Sequence, residues 1–194
     1  MARRLVTDAH DLARALAAAL LSVPVDTVRL VHRCPRCGSG RHGVPSAVSG
    51  GRQVPVSLSR PPGMIAAAAA TDGALGIDIE RSDAAGFGGF AGVVLHPDER
   101  PPADVVAATR LWVRKEAVLK ALGNGLNVDP RTLRLTDPHL PPAVLAWPDP
   151  RPPGVVQMRD LDAPDGYLAA LATIGGRGLE YTQVSIRAVR SASV

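Results

Sequence analysis

Apolar residues recur at helical spacing through 104–122, where Val105, Ala108, Leu111, Val118, Leu119 and Leu122 keep a period of roughly 3.6 residues. No Gly or Pro interrupts that run and Gly123 closes it, so the pattern predicts one long helix with its apolar stripe on the core. A first helix is expected over 8–21, stopped by Pro24, and a short one over 90–95. Alternation and β-branched content predict strands over 28–32, 54–59, 64–71 and 74–80, then over 132–135, 144–147, 155–159, 167–173 and 181–187. Proline pairs at 61–62, 101–102, 141–142 and 152–153 mark loops, and the small-residue stretch 82–89 reads as a linker. No internal repeat is visible.

Polar residues on these elements carry the chemistry. The strand over 74–80 follows the turn-like Asp72-Gly73, and residues two apart on a strand share a face. Asp78 and Glu80 therefore project together, while Ile77 and Ile79 face the core. Two carboxylates side by side repel unless a positive charge sits between them, and an all-oxygen site of this kind suits magnesium. On the long helix Trp112, Glu116 and Lys120 are four residues apart and stack along one stripe, with Lys115 at its edge. Taken alone, Glu116 and Lys120 read as an exposed ion pair worth roughly 0.2–0.5 kcal/mol. Joined to Asp78 and Glu80, they describe a site for phosphoryl transfer.

Ten positions extend this into a resemblance: Gly76, Asp78 and Glu80, then Trp112, Lys115, Glu116, Lys120, Gly123, Gly125 and Leu126. Gly-Ile-Asp-x-Glu followed by Trp-x-x-Lys-Glu-x-x-x-Lys-x-x-Gly-x-Gly-Leu resembles the 4′-phosphopantetheinyl transferases of the surfactin-synthetase-activating (Sfp-like) type. Weaker matches run from the first helix to about residue 173. Val56-Ser57-Leu58-Ser59 resembles the strand that runs into that family's Ser-His-Ser, Arg41-His42-Gly43-Val44-Pro45 its His-Gly-Lys-Pro turn, and 166–172 its late buried strand.

The resemblance implies an α+β fold of two pseudo-twofold-related lobes, divided here as 1–81 and 82–194, with the active site in the cleft between them. It implies transfer of the phosphopantetheine group of coenzyme A to a serine of an apo acyl or peptidyl carrier protein, with release of 3′,5′-ADP. In that reading Asp78, Glu80 and Glu116 hold magnesium, with manganese as an acceptable substitute. Glu116 also takes the serine proton, directly or through water, and Lys120 and Lys115 neutralise charge growing on the pyrophosphate. Lys115, Arg60, Ser59, Arg41 and Arg14 are the implied coenzyme A contacts. Trp112 is read as a packing residue, and Gly123 and Gly125 as the end of the helix.

Two positions depart from the family. Val44 stands where its turn has lysine, and Arg60 stands where its strand has histidine. Arginine still binds phosphate, and does so bidentately; valine does not. The chain also begins near the family's first long helix. An alternative expectation follows, a transferase-like protein with impaired coenzyme A binding that acts as a binding partner.

Composition changes the picture in a few places. The 194 residues are 46% hydrophobic and 3% aromatic, so the core must be built from Ala, Val and Leu. A net charge of +4 fits a nucleic acid, a phosphorylated small molecule or an acidic protein. The scarcity of aromatics disfavours a single-strand binder, and no nucleic-acid partner is expected. The apolar run 15–21 is too short for a bilayer, and Asp8, Asp11 and Arg14 interrupt any signal-like core, so a cytoplasmic monomer without membrane contact is expected. Cys34 and Cys37 form a Cys-x-x-Cys-Gly that looks like half a zinc knuckle, with His32 and His42 as further ligands. No distant second pair exists, and a structural turn is the expectation; a zinc-containing nucleic-acid module is the competing one.

Overall fold

The computed structural model describes residues 8–34, 37–123, 128–147, 154–177, 179 and 182–188. Arg36, Gly125, Leu126, the proline pair at 152–153, Tyr181 and the amino-terminal Met1-Ala2-Arg3-Arg4 lie outside those residues. Three helices run over Ala9–Leu21 (α1), Phe90–Val94 (α2) and Val105–Ala121 (α3). Ten strands run over Arg29–Arg33 (β1), Val44–Ser49 (β2), Arg52–Ser59 (β3), Met64–Ala70 (β4), Ala74–Arg81 (β5), Arg134–Leu135 (β6), Val144–Ala146 (β7), Val156–Leu161 (β8), Tyr167–Ile174 (β9) and Thr182–Ala188 (β10). The architecture is mixed α/β.

Both long helices begin on an aspartate cap. The Asp11 N–H donates to Asp8 Oδ1 and the Ala107 N–H to Asp104 Oδ1, each at 2.8 Å, filling donors that a helix start leaves open. Ser22 ends α1 in the left-handed region (φ 54), and Gly123 does the same after α3 (φ 72).

Five strands form one antiparallel sheet in the order β1-β2-β3-β4-β10, and three form another in the order β5-β9-β8. Strand pairing crosses residue 81 both ways: β5 pairs with β9, and β10 pairs with β4. The layers follow from how alternate residues are shared among cores. On β4, Ile65, Ala67 and Ala69 face α1, while Met64, Ala66, Ala68 and Ala70 meet Leu75, Ile77 and Ile79 of β5. On β9, Ala169 and Leu171 join that middle core, and Ala170, Ala172 and Ile174 pack under α3. The order is α1, sheet, sheet, α3. A strand buried on both faces needs small side chains where two layers close on it, which is why β4 is mostly alanine.

Two readings of the sequence need correction. Residues 41–45 were expected as a turn, but β2 begins at Val44 and runs through Pro45, paired with β1. Proline is a poor strand residue and hid the strand. Val105 was placed on the core stripe, yet it is 38% exposed, as is its neighbour Val106 at 40%, so the buried face of α3 begins only at Ala107.

The register of α3 on β5 is set by one glycine. A Cβ at Gly76 would fall on the Ala117 carbonyl oxygen and come within 2.6 Å of Ala121 N and 2.8 Å of Lys120 Cβ. Helix backbone and strand backbone touch directly there. Gly76→Ala should therefore destabilise the protein by about 2 kcal/mol or more, as overpacking a core does. Denaturant unfolding checks this; a midpoint within error of the parent would show that the contact is looser than described.

Candidate active site

Gly76 removes the side chain between β5 and α3, and that contact brings the polar residues of both elements into one recess. Leu58, Ser59, Arg60, Asp78, Glu80, Trp112, Glu116 and Lys120 line it, around a space of about 350 Å³. Asp78 is 3% exposed and sits at its floor.

Lys120 is the centre of the network. Its ammonium donates to Asp78 Oδ1 at 2.7 Å, to the Ile77 carbonyl at 3.0 Å and to the Leu58 carbonyl at 3.3 Å. All three donors are thus used, two of them on the backbone of neighbouring strands. The exposed pair with Glu116, which the two residues suggest when taken alone, is therefore replaced by a bond to Asp78, a carboxylate on β5 that is itself buried. Ser59 Oγ donates to Asp78 Oδ1 at 2.8 Å. In return the N–H groups of Ile77 and Ile79 donate to Ser57 Oγ (3.0 Å) and Ser59 Oγ (3.3 Å), so β3 hydroxyls close the edge of β5 that β9 leaves open.

Charge in the recess is uneven. Burial pushes the Glu116 carboxyl up to about 7, with Asp78 and Glu80 adding repulsion and Lys120 opposing it. Burial, then Asp78, also raises Glu80, again against Lys120. Two buried oxygens, Asp78 Oδ2 and Glu116 Oε1, have no hydrogen-bond partner. Among the described residues, the three carboxylates are not gathered into one set of ligand atoms within 4.8 Å, which accords with their repulsion. Hard oxygen donors, two of them orphaned and all facing one recess, fit a divalent cation such as magnesium. Trp112, expected to be a packing residue, both packs on the α3 core and walls the recess.

Of the remaining sequence candidates, Ser59 and Arg60 line the recess, with Arg60 exposed. Lys115 does not. It is fully buried, donating to Glu99 Oε2 (2.7 Å), the Val94 carbonyl (2.7 Å) and the Pro130 carbonyl (3.1 Å). One position off the Trp112 stripe turns its side chain under α2 rather than toward the recess, and burial lowers its pKa against the opposing pull of Glu99. Arg14 pairs with Asp11 on α1, and Arg41 lies in the β1–β2 loop; neither lines the recess.

Sequence reasoning missed Glu99 and Asp160. Glu99 also accepts from the His96 and Leu135 N–H groups, and Asp160 holds the buried Arg114 bidentately at 2.8 and 2.6 Å. Each anchors the face of α3 turned away from the recess. The one signal was the density of cations on α3, whose two lysines are the chain's only ones.

A family model described as the 4′-phosphopantetheinyl transferase superfamily matches residues 74–172, about half of the chain. No curated protein sequence matches it significantly. The matched span runs from β5 to β9 and contains Asp78, Glu80, Trp112, Glu116 and Lys120 in the positions just described. The chain belongs to the 4′-phosphopantetheinyl transferase superfamily.

Proposed function

We propose that this protein is a transferase of the Sfp-like type, which moves 4′-phosphopantetheine from coenzyme A to a serine hydroxyl of an apo acyl or peptidyl carrier protein. The observation that carries this reading is one recess in which three carboxylates of the matched span, Asp78, Glu80 and Glu116, meet a lysine fixed by backbone carbonyls. A cytoplasmic monomer using magnesium remains the setting we favour.

The residues divide the work by their surroundings. Asp78, Glu80 and Glu116 are the residues that would hold magnesium. Bound there, the ion offsets the charge of the coenzyme A pyrophosphate. Lys120 is held by two strand carbonyls, so its third bond, to Asp78 Oδ1, is the one an incoming phosphate oxygen replaces. Arg60 is exposed at the rim and can fork two hydrogen bonds onto the 3′-phosphate. Glu116, poised near neutrality, takes the serine proton directly or through water. The serine oxygen then bonds to the β-phosphorus as the bond from that phosphorus to the 3′,5′-ADP oxygen breaks, and ADP departs with the electron pair.

Incubating an apo carrier protein with the chain, coenzyme A and magnesium should add one phosphopantetheine by intact mass, and chelation should prevent it. Asp78→Ala, Glu116→Gln and Lys120→Ala should each lower turnover by about 10²-fold or more. Near-normal turnover in any of them would remove that residue from the mechanism. Loss of coenzyme A binding in the parent protein would favour the impaired, partner-like reading.

Arg60→Ala should raise the coenzyme A requirement more than it lowers turnover. Dephospho-coenzyme A, which lacks the 3′-phosphate, should then be used equally by parent and variant. A variant that loses as much with dephospho-coenzyme A would contradict the 3′-phosphate contact.

Stability gives a test independent of turnover. The folded chain keeps the Glu116 proton up to about pH 7, whereas the unfolded chain releases it near the ordinary value of 4.5. A raised carboxyl binds more protons folded than unfolded, so this group lowers stability as pH rises through that window, and the full cost stands above about 7. Glu116→Gln in metal-free buffer should therefore stabilise the protein at pH 8, by about 2 kcal/mol after allowance for partial exposure, and little at pH 4.5. An equal difference at both pH values would mean that burial does not raise this carboxyl.

A further inference from the structure

The loop between β1 and β2 carries a second cluster with no part in the recess. Cys34 Sγ, Cys37 Sγ and a ring nitrogen of His42 all lie within 4.8 Å of one another, and Cys37 Sγ is 3.5 Å from His42 Nε2. Neither cysteine is in a disulfide. Around a tetrahedral zinc ion, bonds of about 2.3 Å to sulfur and about 2.0 Å to nitrogen place neighbouring ligand atoms about 3.5–3.8 Å apart. The cysteine–histidine spacing already has that value.

The backbone explains why three ligands spread over nine residues converge. Arg33 pairs with Val44, so Cys34, Cys37 and His42 all lie on the connection by which β1 returns into β2. The Cys34 N–H donates to the Ser39 carbonyl and the Gly38 N–H to the Cys34 carbonyl, both at 2.9 Å. Gly38 follows the second cysteine in the left-handed region (φ 71), which glycine adopts without strain. Gly43 (φ 107) then crosses so close to Cys34 that a Cβ on it would lie 2.5 Å from Cys34 Cα. That crossing returns His42 to the cysteines.

We propose that this loop binds one zinc ion through Cys34, Cys37 and His42. Two thiolates and an imidazole are a borderline-soft set that selects zinc over magnesium, so the site is chemically separate from the carboxylate recess. His32, on β1, does not belong to the group, and among the described residues no fourth side chain joins it. Cys34 is buried and Cys37 and His42 are exposed, so the fourth position opens to solvent and takes a water molecule. Binding releases the two thiol protons. The ion clamps the hairpin turn that leads into Val44, whose side chain packs against Gly123 at the end of α3.

The test is metal titration of the reduced, chelator-stripped full chain with zinc and with cobalt(II). One equivalent of zinc should bind with a dissociation constant below about 1 µM, and the cobalt form should show thiolate charge-transfer bands and the intense visible absorption of a four-coordinate ion. Cys37→Ser should lose about half of the thiolate band or more, and both it and His42→Ala should weaken zinc at least about tenfold. Both residues are exposed, so these variants should keep the parent's unfolding midpoint without metal. Binding weaker than micromolar, or binding unchanged in both variants, would overturn the site. A mass two hydrogens below that of the dithiol in protein purified without reductant, with no zinc, would assign the pair to a disulfide instead.

Discussion

The approach of α3 to β5 at Gly76 is the contact on which the rest of this structure depends. Any side chain there would strike helix backbone, so its absence fixes how deep the helix sits and where it lies along the strand. Lys120 can then reach the carbonyls of Ile77 and Leu58 and the carboxylate of Asp78 at once. A helix standing farther off would leave that ammonium in solvent and Asp78 buried without a cation, a state that costs several kcal/mol. Packing and electrostatics are one constraint here.

The recess is electrostatically incomplete, and its surroundings are not. Lys115 has Glu99, Arg114 has Asp160, and each pair is completed by carbonyl or N–H partners, so the outer face of α3 is closed to further ligands. On the inner face Lys120 meets three carboxylates, with Arg60 exposed at the rim, and two of the carboxylate oxygens are buried and unpartnered. A protein accepts such a deficit where a ligand removes it. The uneven distribution separates the structural ion pairs from the group we propose as functional more sharply than burial does, since Lys115 and Asp78 are almost equally hidden.

Much of this was legible in the sequence. The period of 104–122 and the alternation of 74–80 predicted α3 and β5, and the same alternation placed Asp78 with Glu80 opposite Ile77 and Ile79. Local rules sufficed because each is a statement about one element. Partners across elements were not legible: no spacing rule says that Lys120 prefers Asp78, forty-two residues away, to Glu116 one turn away. Glu99 was invisible because it lies in a loop, where a carboxylate reads as ordinary solvated charge. Pro45 concealed β2, and with it the hairpin that gathers Cys34, Cys37 and His42.

Lys115 and Lys120 state the general point. They are the chain's two lysines, five residues apart on one helix, and a motif read as a string gives both the same phosphate-binding role. Five residues on a helix are about 500° of rotation, so the two side chains leave the axis about 140° apart and enter different environments. One enters an apolar layer where a glutamate and two carbonyls consume every donor, and its charge is spent on joining α2, α3 and the segment at Pro130. The other enters a recess whose negative charge exceeds its own. Identity and spacing nominate both residues; the number of charges each must balance decides which one is left facing an unbalanced site, and that is the one to which we assign the substrate phosphate.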